Sequence, residues 1–164
     1  MDIWFSLLGK REMSTMRMNK TGLENLHLLV VEDENRFLNV VASMLRRLGI
    51  VHIYTAQDGN QALEFLNTSS DASLINLILC DWNLPHMNGL ELLRRVRILK
   101  PTIPFIMVTG LTNNQAVLEA RKAGVTGFLA KPFRLEELKK KLTVVLRPDA
   151  GGEKPHDGDA FFDV

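Results

Sequence analysis

An uninterrupted apolar run in the middle of the chain, residues 77–80, ends directly at a carboxylate, Asp81. Apolar runs without alternation are typical of strands that are buried on both faces, as in parallel sheets. In open α/β sheets, ligand sites lie just outside the carboxyl ends of the strands, so Asp81 is a candidate for chemistry. Aspartate is also a common turn residue, so the other strand ends decide whether Asp81 belongs to a site.

Four further apolar runs resemble this one, and they alternate with segments whose apolar residues have helical spacing. The predicted strands cover residues 27–31, 51–56, 77–80, 105–108 and 127–130. The predicted helices cover residues 35–48, 59–66, 89–98, about 113–123 and 135–146, with a polar loop at 67–73. Alternating strands and helices form βαβ units with right-handed crossovers. The sequence therefore predicts an α/β fold, a five-stranded parallel sheet with helices on both faces.

Length and composition limit the number of domains and the class of protein. A chain of 164 residues suffices for one domain with a sizeable core plus tails. Hydrophobic residues make up 46%, charged residues 24%, and the net charge of +1 does not indicate binding to nucleic acid or an anionic membrane. Cys80 is the single cysteine, so an intrachain disulfide is excluded and we interpret Cys80 as a core residue.

The chain carries no sequence signal for a membrane span or for secretion. No segment approaches the roughly 18 consecutive apolar residues that cross a bilayer. The apolar run at residues 3–8 is followed by Lys10 and Arg11, whereas a signal peptide has its positive charges first. We therefore expect a cytoplasmic protein.

The folded domain is predicted to cover residues 26–146. Residues 1–25 have mixed polarity and several methionines, so we expect a mostly disordered leader, with a short docking helix as the alternative. Residues 147–164 are rich in Gly, Asp and Pro and too short for an output domain. Their closing pair, Phe161 and Phe162, fits either a peptide docking motif or a disordered end.

The predicted strand ends carry chemically complementary side chains. Glu32 and Asp33 follow the first strand, Asp81 the third, Thr109 the fourth and Lys131 the fifth. In a doubly wound sheet these ends converge on one crevice, where carboxylates repel each other unless a cation is present. A cluster of carboxylate oxygens suits a hard divalent ion such as Mg²⁺. With an ammonium and a hydroxyl, the cluster supplies the nucleophile, charge clamp and donor that an acyl phosphate on aspartate needs.

Residues 26–146 resemble the receiver domain of two-component response regulators, the CheY-like group. The motifs that carry the resemblance occur in order and at the family's spacing: residues 30–33 (Val-Val-Glu-Asp), Asp81 with Pro85 and Gly89, residues 108–110 (Val-Thr-Gly) and residues 131–133 (Lys-Pro-Phe). Residues 81–85 and 107–109 look especially like the chemotaxis branch. The resemblance implies a flavodoxin-like sheet with strand order 2-1-3-4-5.

The resemblance also implies the chemistry of the strand-end residues. Asp81 is expected to be the phosphoacceptor for a phosphoryl group from a histidine kinase. Asp33 and Asp81 are expected to bind Mg²⁺ directly, together with the backbone carbonyl of Asn83. Glu32 is expected to act on the metal through a water.

A switch is implied by the same resemblance. Lys131 is expected to pair with the phosphoryl group, and its peptide bond to Pro132 is expected to be cis. Thr109 would swing to hydrogen-bond the phosphoryl oxygens, and Phe128 would follow it inward. The resulting change in the face formed by the fourth helix, fifth strand and fifth helix would control partner binding.

The implied protein is a stand-alone response regulator in a phosphorelay. It would receive the phosphoryl group from a histidine kinase or phosphotransfer protein and act on a downstream protein target, without binding nucleic acid or a membrane. It is expected to be a monomer or a phosphorylation-dependent dimer. We interpret it as a signalling switch and not as a metabolic enzyme, although it would catalyse its own phosphoryl transfer and hydrolysis.

Three positions depart from the family's usual residues. Glu32 replaces the commoner Asp and is expected to keep the metal site. Asn88 stands where Asp is usual and is expected to change only the turn beside Gly89. Phe128 stands where chemotaxis members have Tyr and offers no hydroxyl, which leaves binding to a flagellar motor open.

A fourth departure, Leu111, puts an apolar side chain at the mouth of the site. We expect it to hinder water attack on the phosphoryl group and so to slow dephosphorylation. The phosphorylated form of Leu111→Glu should lose its phosphoryl group faster than that of the unchanged chain. A lifetime that does not shorten would contradict this expectation.

Three other interpretations compete with a phosphorylated receiver. Asp33, Asp81 and Lys131 could be turn and salt-bridge residues alone, but coordinated groups at several strand ends favour a site. Phosphatases of the haloacid dehalogenase type also end a strand in a nucleophilic Asp, but that strand comes first and an acid follows two residues later, where this chain has Asn83. A receiver that has become a constitutive scaffold is disfavoured by the intact Asp81 and Lys131.

The remaining polar residues give weaker signals. The four histidines share no metal-ligand spacing and have no cysteine partners; they are His27, His52, His86 and His156. Three arginines on one turn of the third predicted helix have no aromatic platform beside them, so we interpret them as a solvated face; they are Arg94, Arg95 and Arg97. The sequence has no phosphate-binding loop and no dinucleotide fingerprint.

Overall fold

The computed structural model describes residues 22–110 and 114–146. The predictions for Leu111, for His156, for the leader up to residue 21 and for the tail at 147–164 fall outside these ranges. Within them, no helix is both long enough and apolar enough to cross a bilayer. Leu23 is buried in the core ahead of residue 26, and the domain bounds of 26–146 stay a prediction.

In the described ranges, five parallel strands form one sheet in the order β2-β1-β3-β4-β5. The strands are β1 His27–Val31, β2 His52–Ala56, β3 Leu77–Asp81, β4 Phe105–Thr109 and β5 Gly127–Ala130. Every residue of β3 and β4 is buried, because helices cover both faces of the central strands. The predicted fold class and the strand order implied by the resemblance are both confirmed.

The helices connect the strands as predicted, with ends within about two residues of the predicted ones. They are α1 Asn35–Arg47, α2 Gly59–Thr68, α3 Gly89–Leu99, α4 Asn114–Lys122 and α5 Leu135–Val145. The predicted polar loop at 67–73 is wrong in part, since it contains the end of α2 and a short 3-10 helix, Ser70–Ser73. The Ser69 hydroxyl starts this turn by accepting a hydrogen bond from the Asp71 N–H at 3.2 Å.

Successive residues of each strand point to opposite faces of the sheet, so the strands feed two separate cores. We call them the α2–α4 core, which is covered by α2, α3 and α4, and the α1–α5 core, which is covered by α1 and α5. The strand residues of the α2–α4 core are Leu29, Val31, Ala56, Ile78, Cys80, Phe105, Met107 and Phe128. Those of the α1–α5 core are Leu28, Val30, Leu77, Leu79, Ile106, Val108 and Leu129. Cys80 is fully buried, which confirms its interpretation as a core residue.

Arg97 does not belong to a solvated face, and the prediction was wrong for this residue. Its Nε and Nη2 atoms donate to the Gly124 carbonyl at 3.0 and 2.7 Å, and Nη1 donates to the Ile103 carbonyl at 2.8 Å. Arg94 and Arg95 are exposed as predicted, and each forms an ion pair with a glutamate, Glu119 and Glu91 respectively. The guanidinium of Arg97 therefore joins α3 to the turn that follows α4 and to the loop that precedes β4.

We expect Arg97→Met to lower the free energy of unfolding by about 2 kcal/mol, because two carbonyl groups would lose a charged hydrogen-bond donor. Urea denaturation of both the variant and the unchanged chain measures this difference. Arg94→Met is the matched control and should cost less than about 0.5 kcal/mol, since its ion pair is exposed. Equal losses in the two variants would show that the contacts of Arg97 contribute nothing.

Candidate functional site

Three carboxylates meet at the carboxyl edge of the sheet. Oxygens of Glu32, Asp33 and Asp81 all lie within 4.8 Å of one another. They come together because β1 and β3 are adjacent, with Val31 paired to Cys80, so the residues that follow these two lie side by side. Glu32 and Asp81 are buried and Asp33 is exposed, so the cluster opens to solvent on one side.

The side chain of Lys131 bridges two of these carboxylates. Its Nζ donates to Glu32 Oε2 and to Asp81 Oδ2, at 2.9 Å each. The peptide bond from Lys131 to Pro132 is cis, as the resemblance implied. The acidic residues and the lysine predicted from separate strand ends are therefore in direct contact.

An aromatic ring also contacts the ammonium group of Lys131. The Lys131 Nζ lies 4.1 Å from the centre of the Phe37 ring, within the range of a cation–π contact. The Phe37 ring in turn packs edge-to-face against Phe133, with ring centres 5.6 Å apart. Carboxylates and an aromatic face thus fix the ammonium in position.

Backbone groups orient the two buried carboxylates. Glu32 Oε1 accepts a hydrogen bond from the Glu34 N–H at 3.1 Å. Asp81 Oδ1 accepts one from the Asn83 N–H at 3.3 Å. Each side chain therefore has one oxygen held by the loop that follows its strand and the other held by Lys131.

Burial and ion pairing together shift the pKa of two members of this cluster. Burial raises the pKa of Glu32, and the hydrogen bond from Lys131 offsets this only in part. Burial alone would lower the pKa of Lys131, but its bonds to Asp81 and Glu32 outweigh that effect and the pKa is raised. Lys131 is consequently an ammonium at neutral pH. Its single positive charge is fewer than the three carboxylates around it.

The donor set of the cluster fits a hard divalent cation. Three carboxylates and one ammonium leave two negative charges when all are ionised. Carboxylate and carbonyl oxygens are the ligands that Mg²⁺ prefers, and Mg²⁺ commonly uses one or two carboxylates with waters. Asn83 lies exposed two residues after Asp81, where its carbonyl belongs to the same loop.

Thr109 and Phe128 lie on the strands beside the cluster. Thr109 ends β4, is buried, and its carbonyl accepts a hydrogen bond from the Lys131 N–H at 2.8 Å. Phe128 on β5 pairs in register with Met107 and lies in the α2–α4 core, 5% exposed. The Phe128 side chain is therefore buried in that core, which suits a ring without a hydroxyl to hydrate.

Sequence reasoning missed several residues that shape the site. Phe37 lies within the first predicted helix, residues 35–48, and nothing in the sequence links it to a lysine far along the chain. Asn88 does more than alter a turn: its Oδ1 caps α3 by accepting from the Glu91 N–H at 2.9 Å. His86, in the loop after Asp81, has a left-handed backbone conformation with φ of 65°. Nothing in the sequence predicts this conformation for a residue other than glycine.

Comparisons with known proteins agree with this geometry. The family model described as response regulator receiver domain matches residues 28–143. The chemotaxis protein CheY1 of Helicobacter pylori is 38% identical over 123 residues, covering 74% of this chain and 97% of that protein. The solved structure of the chemotaxis response regulator CheY4 of Vibrio cholerae has a TM-score of 0.66 and 32% identity, covering 74% of this chain and 98% of that one. The chain therefore belongs to the family of response regulator receiver domains.

Proposed function

We propose that the protein is a single-domain response regulator of a phosphorelay, with Asp81 as its phosphoacceptor. The observation that carries the proposal is the direct contact of Asp81 with Lys131 inside a cluster of carboxylates. An aspartate that only ended a turn would need neither a half-buried ammonium nor two further acids beside it. Membership of the receiver family supports the same assignment.

In the proposed reaction, a carboxylate oxygen of Asp81 attacks the phosphorus of a phosphohistidine. An O–P bond forms as the P–N bond breaks, and the imidazole leaves with the bonding electron pair. Lys131 would move one of its hydrogen bonds from Asp81 to a phosphoryl oxygen. Water later attacks the phosphorus, the Asp81 O–P bond breaks with its electron pair kept by the carboxylate, and inorganic phosphate is released.

The metal ligands are proposed to be Asp33, Asp81 and the backbone carbonyl of Asn83, with Glu32 acting through a water. When bound, Mg²⁺ supplies positive charge to the oxygens of the transferring phosphoryl group. Glu32 has a second task in this proposal, since its bond to Lys131 keeps the ammonium beside the reacting oxygen.

The proposed output is a change in the face formed by α4, β5 and α5. Thr109 would turn its hydroxyl to the phosphoryl oxygens, and repacking around Phe128 would follow. The two helices of this face carry exposed apolar residues, Leu118 on α4 and Val144 on α5, at 48% and 46% exposure. A protein partner that buries such residues could read the change.

The proposed partners are a histidine kinase or phosphotransfer protein and a downstream protein target, both met in the cytoplasm. Neither nucleic acid nor a membrane is a proposed partner. The protein would act as a monomer or as a phosphorylation-dependent dimer, and its catalysis would be limited to its own phosphoryl transfer and hydrolysis.

Intact-mass measurement after incubation with acetyl phosphate and Mg²⁺ tests this proposal. We expect a gain of one phosphoryl group, which disappears in Asp81→Asn and when EDTA replaces Mg²⁺. Asp58→Asn is the matched control: Asp58 caps α2 through its side chain, asparagine caps equally well, and the gain should persist.

Two results would overturn the proposed site. One is an equal gain in Asp81→Asn, which would place the phosphoryl group elsewhere. The other is no gain with acetyl phosphate or with any of a panel of phosphorylated histidine kinases, which would instead favour a constitutive scaffold.

A further inference from the structure

The ammonium of Lys131 has two kinds of neighbour, which attract it in different ways. Its Nζ donates hydrogen bonds to Glu32 Oε2 and Asp81 Oδ2, at 2.9 Å each. The same nitrogen lies over the Phe37 ring, 4.1 Å from the ring centre. A carboxylate oxygen fixes the direction of the N–H that it accepts, whereas an aromatic face attracts the charge as a whole. The ring therefore holds the ammonium without taking one of its donors.

One short segment, residues 32–37, supplies both an acid and the ring that contact Lys131. The Glu32 carboxylate accepts from the Glu34 N–H through Oε1 and from Lys131 through Oε2. Glu34 is the N-cap residue of α1, and Phe37 lies in the first turn of that helix. Glu32 thus connects the start of α1 to the same ammonium that the Phe37 ring contacts.

A second aromatic side chain fixes the Phe37 ring. The Phe133 ring packs edge-to-face against it, with centres 5.6 Å apart and planes at 84°. This is a favoured arrangement for two aromatic rings. Phe133 is buried in the α1–α5 core, and Phe37 packs against that core. Phe133 lies two residues after Lys131, so the loop that carries the lysine also holds the ring beneath it.

We propose that Phe37 is a positioning residue for phosphoryl transfer, because its ring keeps the Lys131 ammonium at the site while one hydrogen bond moves from Asp81 to a phosphoryl oxygen. This inference rests on the proposed function, in which Asp81 accepts the phosphoryl group. The lysine stem is flexible and the Lys131 side chain is 24% exposed, so water competes for an ammonium that has released Asp81. The ring opposes that loss and leaves the donors of Nζ free to change partner.

The rate of phosphorylation by acetyl phosphate and Mg²⁺, followed by intact mass, tests the inference in Phe37→Leu and Phe37→Tyr. We expect Phe37→Leu to react about fivefold more slowly, since leucine is apolar but has no aromatic face. Phe37→Tyr should react within about twofold of the unchanged chain, because tyrosine restores the face. Rescue by tyrosine separates attraction of the charge from packing, and circular dichroism gives the folded fraction by which each rate is normalised.

Phe65→Leu is the matched control. Phe65 is a half-buried ring on α2 that packs against Tyr54 with centres 5.2 Å apart, in the α2–α4 core. Its replacement should leave the phosphorylation rate unchanged. Proton NMR of the unphosphorylated protein reports the contact itself. The ring current of Phe37 should shift the methylene protons beside Lys131 Nζ upfield in the unchanged chain and in Phe37→Tyr, and the shift should vanish in Phe37→Leu.

The possible failures of this inference differ from a failure of the proposed function. A Phe37→Leu protein that reacts as fast as the unchanged chain overturns the positioning role and leaves the phosphoacceptor in place. A Phe37→Tyr protein as slow as Phe37→Leu does the same, and so does an unchanged chain without the upfield shift. A chain that gains no phosphoryl group from any donor overturns the proposed function, and the positioning role with it.

Discussion

Replacing Gly89 with alanine should lower the free energy of unfolding by about 3 kcal/mol. Gly89 begins α3, and its N–H donates to the Trp82 carbonyl at 2.8 Å, so the backbone of the helix lies against the end of β3. A Cβ there would lie 2.5 Å from the Asp81 carbonyl oxygen and 2.7 Å from Met107 Sδ. The sulfur is flexible, but the carbonyl belongs to the buried strand, so α3 and the end of β3 must move apart.

Urea denaturation gives the loss of stability, and the acetyl phosphate reaction gives its effect on the site. We expect the folded fraction of Gly89→Ala to accept the phosphoryl group more slowly, because Asp81 is displaced with its backbone. Gly110→Ala is the control at the same sheet edge, since a Cβ there meets none of the described atoms within 4 Å. A Gly89→Ala protein as stable as the control would mean that the close approach is relieved without cost.

Removing the charge of Lys131 should destabilise the protein by about 3 kcal/mol when no divalent cation is present. In Lys131→Gln, the carboxylates of Glu32 and Asp81 would remain buried, with side-chain exposures of 4% and 8%, and would have no ammonium between them. Two such charges less than 4.8 Å apart repel by about 3 kcal/mol at an effective dielectric constant near 20. The folded state would carry this repulsion and the unfolded chain would not.

Chemical denaturation in EDTA measures the loss, and repeating it with Mg²⁺ shows how much a divalent cation restores. The double variant Glu32→Gln with Lys131→Gln should be more stable than Lys131→Gln alone, because it removes one of the two repelling charges. Lys139→Gln, on the exposed face of α5, should change stability by less than about 0.5 kcal/mol. If the double variant were the least stable of the set, repulsion between the carboxylates could not be the cause.

Most of the fold and the acidic half of the site can be predicted from local sequence patterns. Buried strands such as β3 appear as continuous apolar runs, and the residue after each run marks the edge where Glu32, Asp81 and Lys131 meet. Local patterns do not determine which helix surface packs across which turn. The contacts of Arg97 with Gly124 and of Phe37 with Lys131 depend on such crossings.

The stacked pair of His27 and His52, with ring centres 4.0 Å apart, could not be predicted from the sequence for a different reason. Each residue lies at the start of a strand, where a polar side chain is unremarkable. Only the register between β1 and β2 makes them neighbours, and no short-range pattern encodes a register. The short 3-10 helix after α2 was missed because its polar residues are also those of loops, and one serine hydroxyl decides between the two.

The sheet separates two cores, and the bond between Asp81 and Lys131 lies where both reach the same edge. Asp81 continues the strand whose preceding residue, Cys80, packs in the α2–α4 core. Lys131 rests on Phe37 and is followed by Phe133, and both rings pack in the α1–α5 core. Loosening this bond would therefore alter a contact between residues that adjoin both helical layers at that edge. In the proposed switch, a partner bound to the helices of either layer would therefore act on the same ion pair from its own side of the sheet.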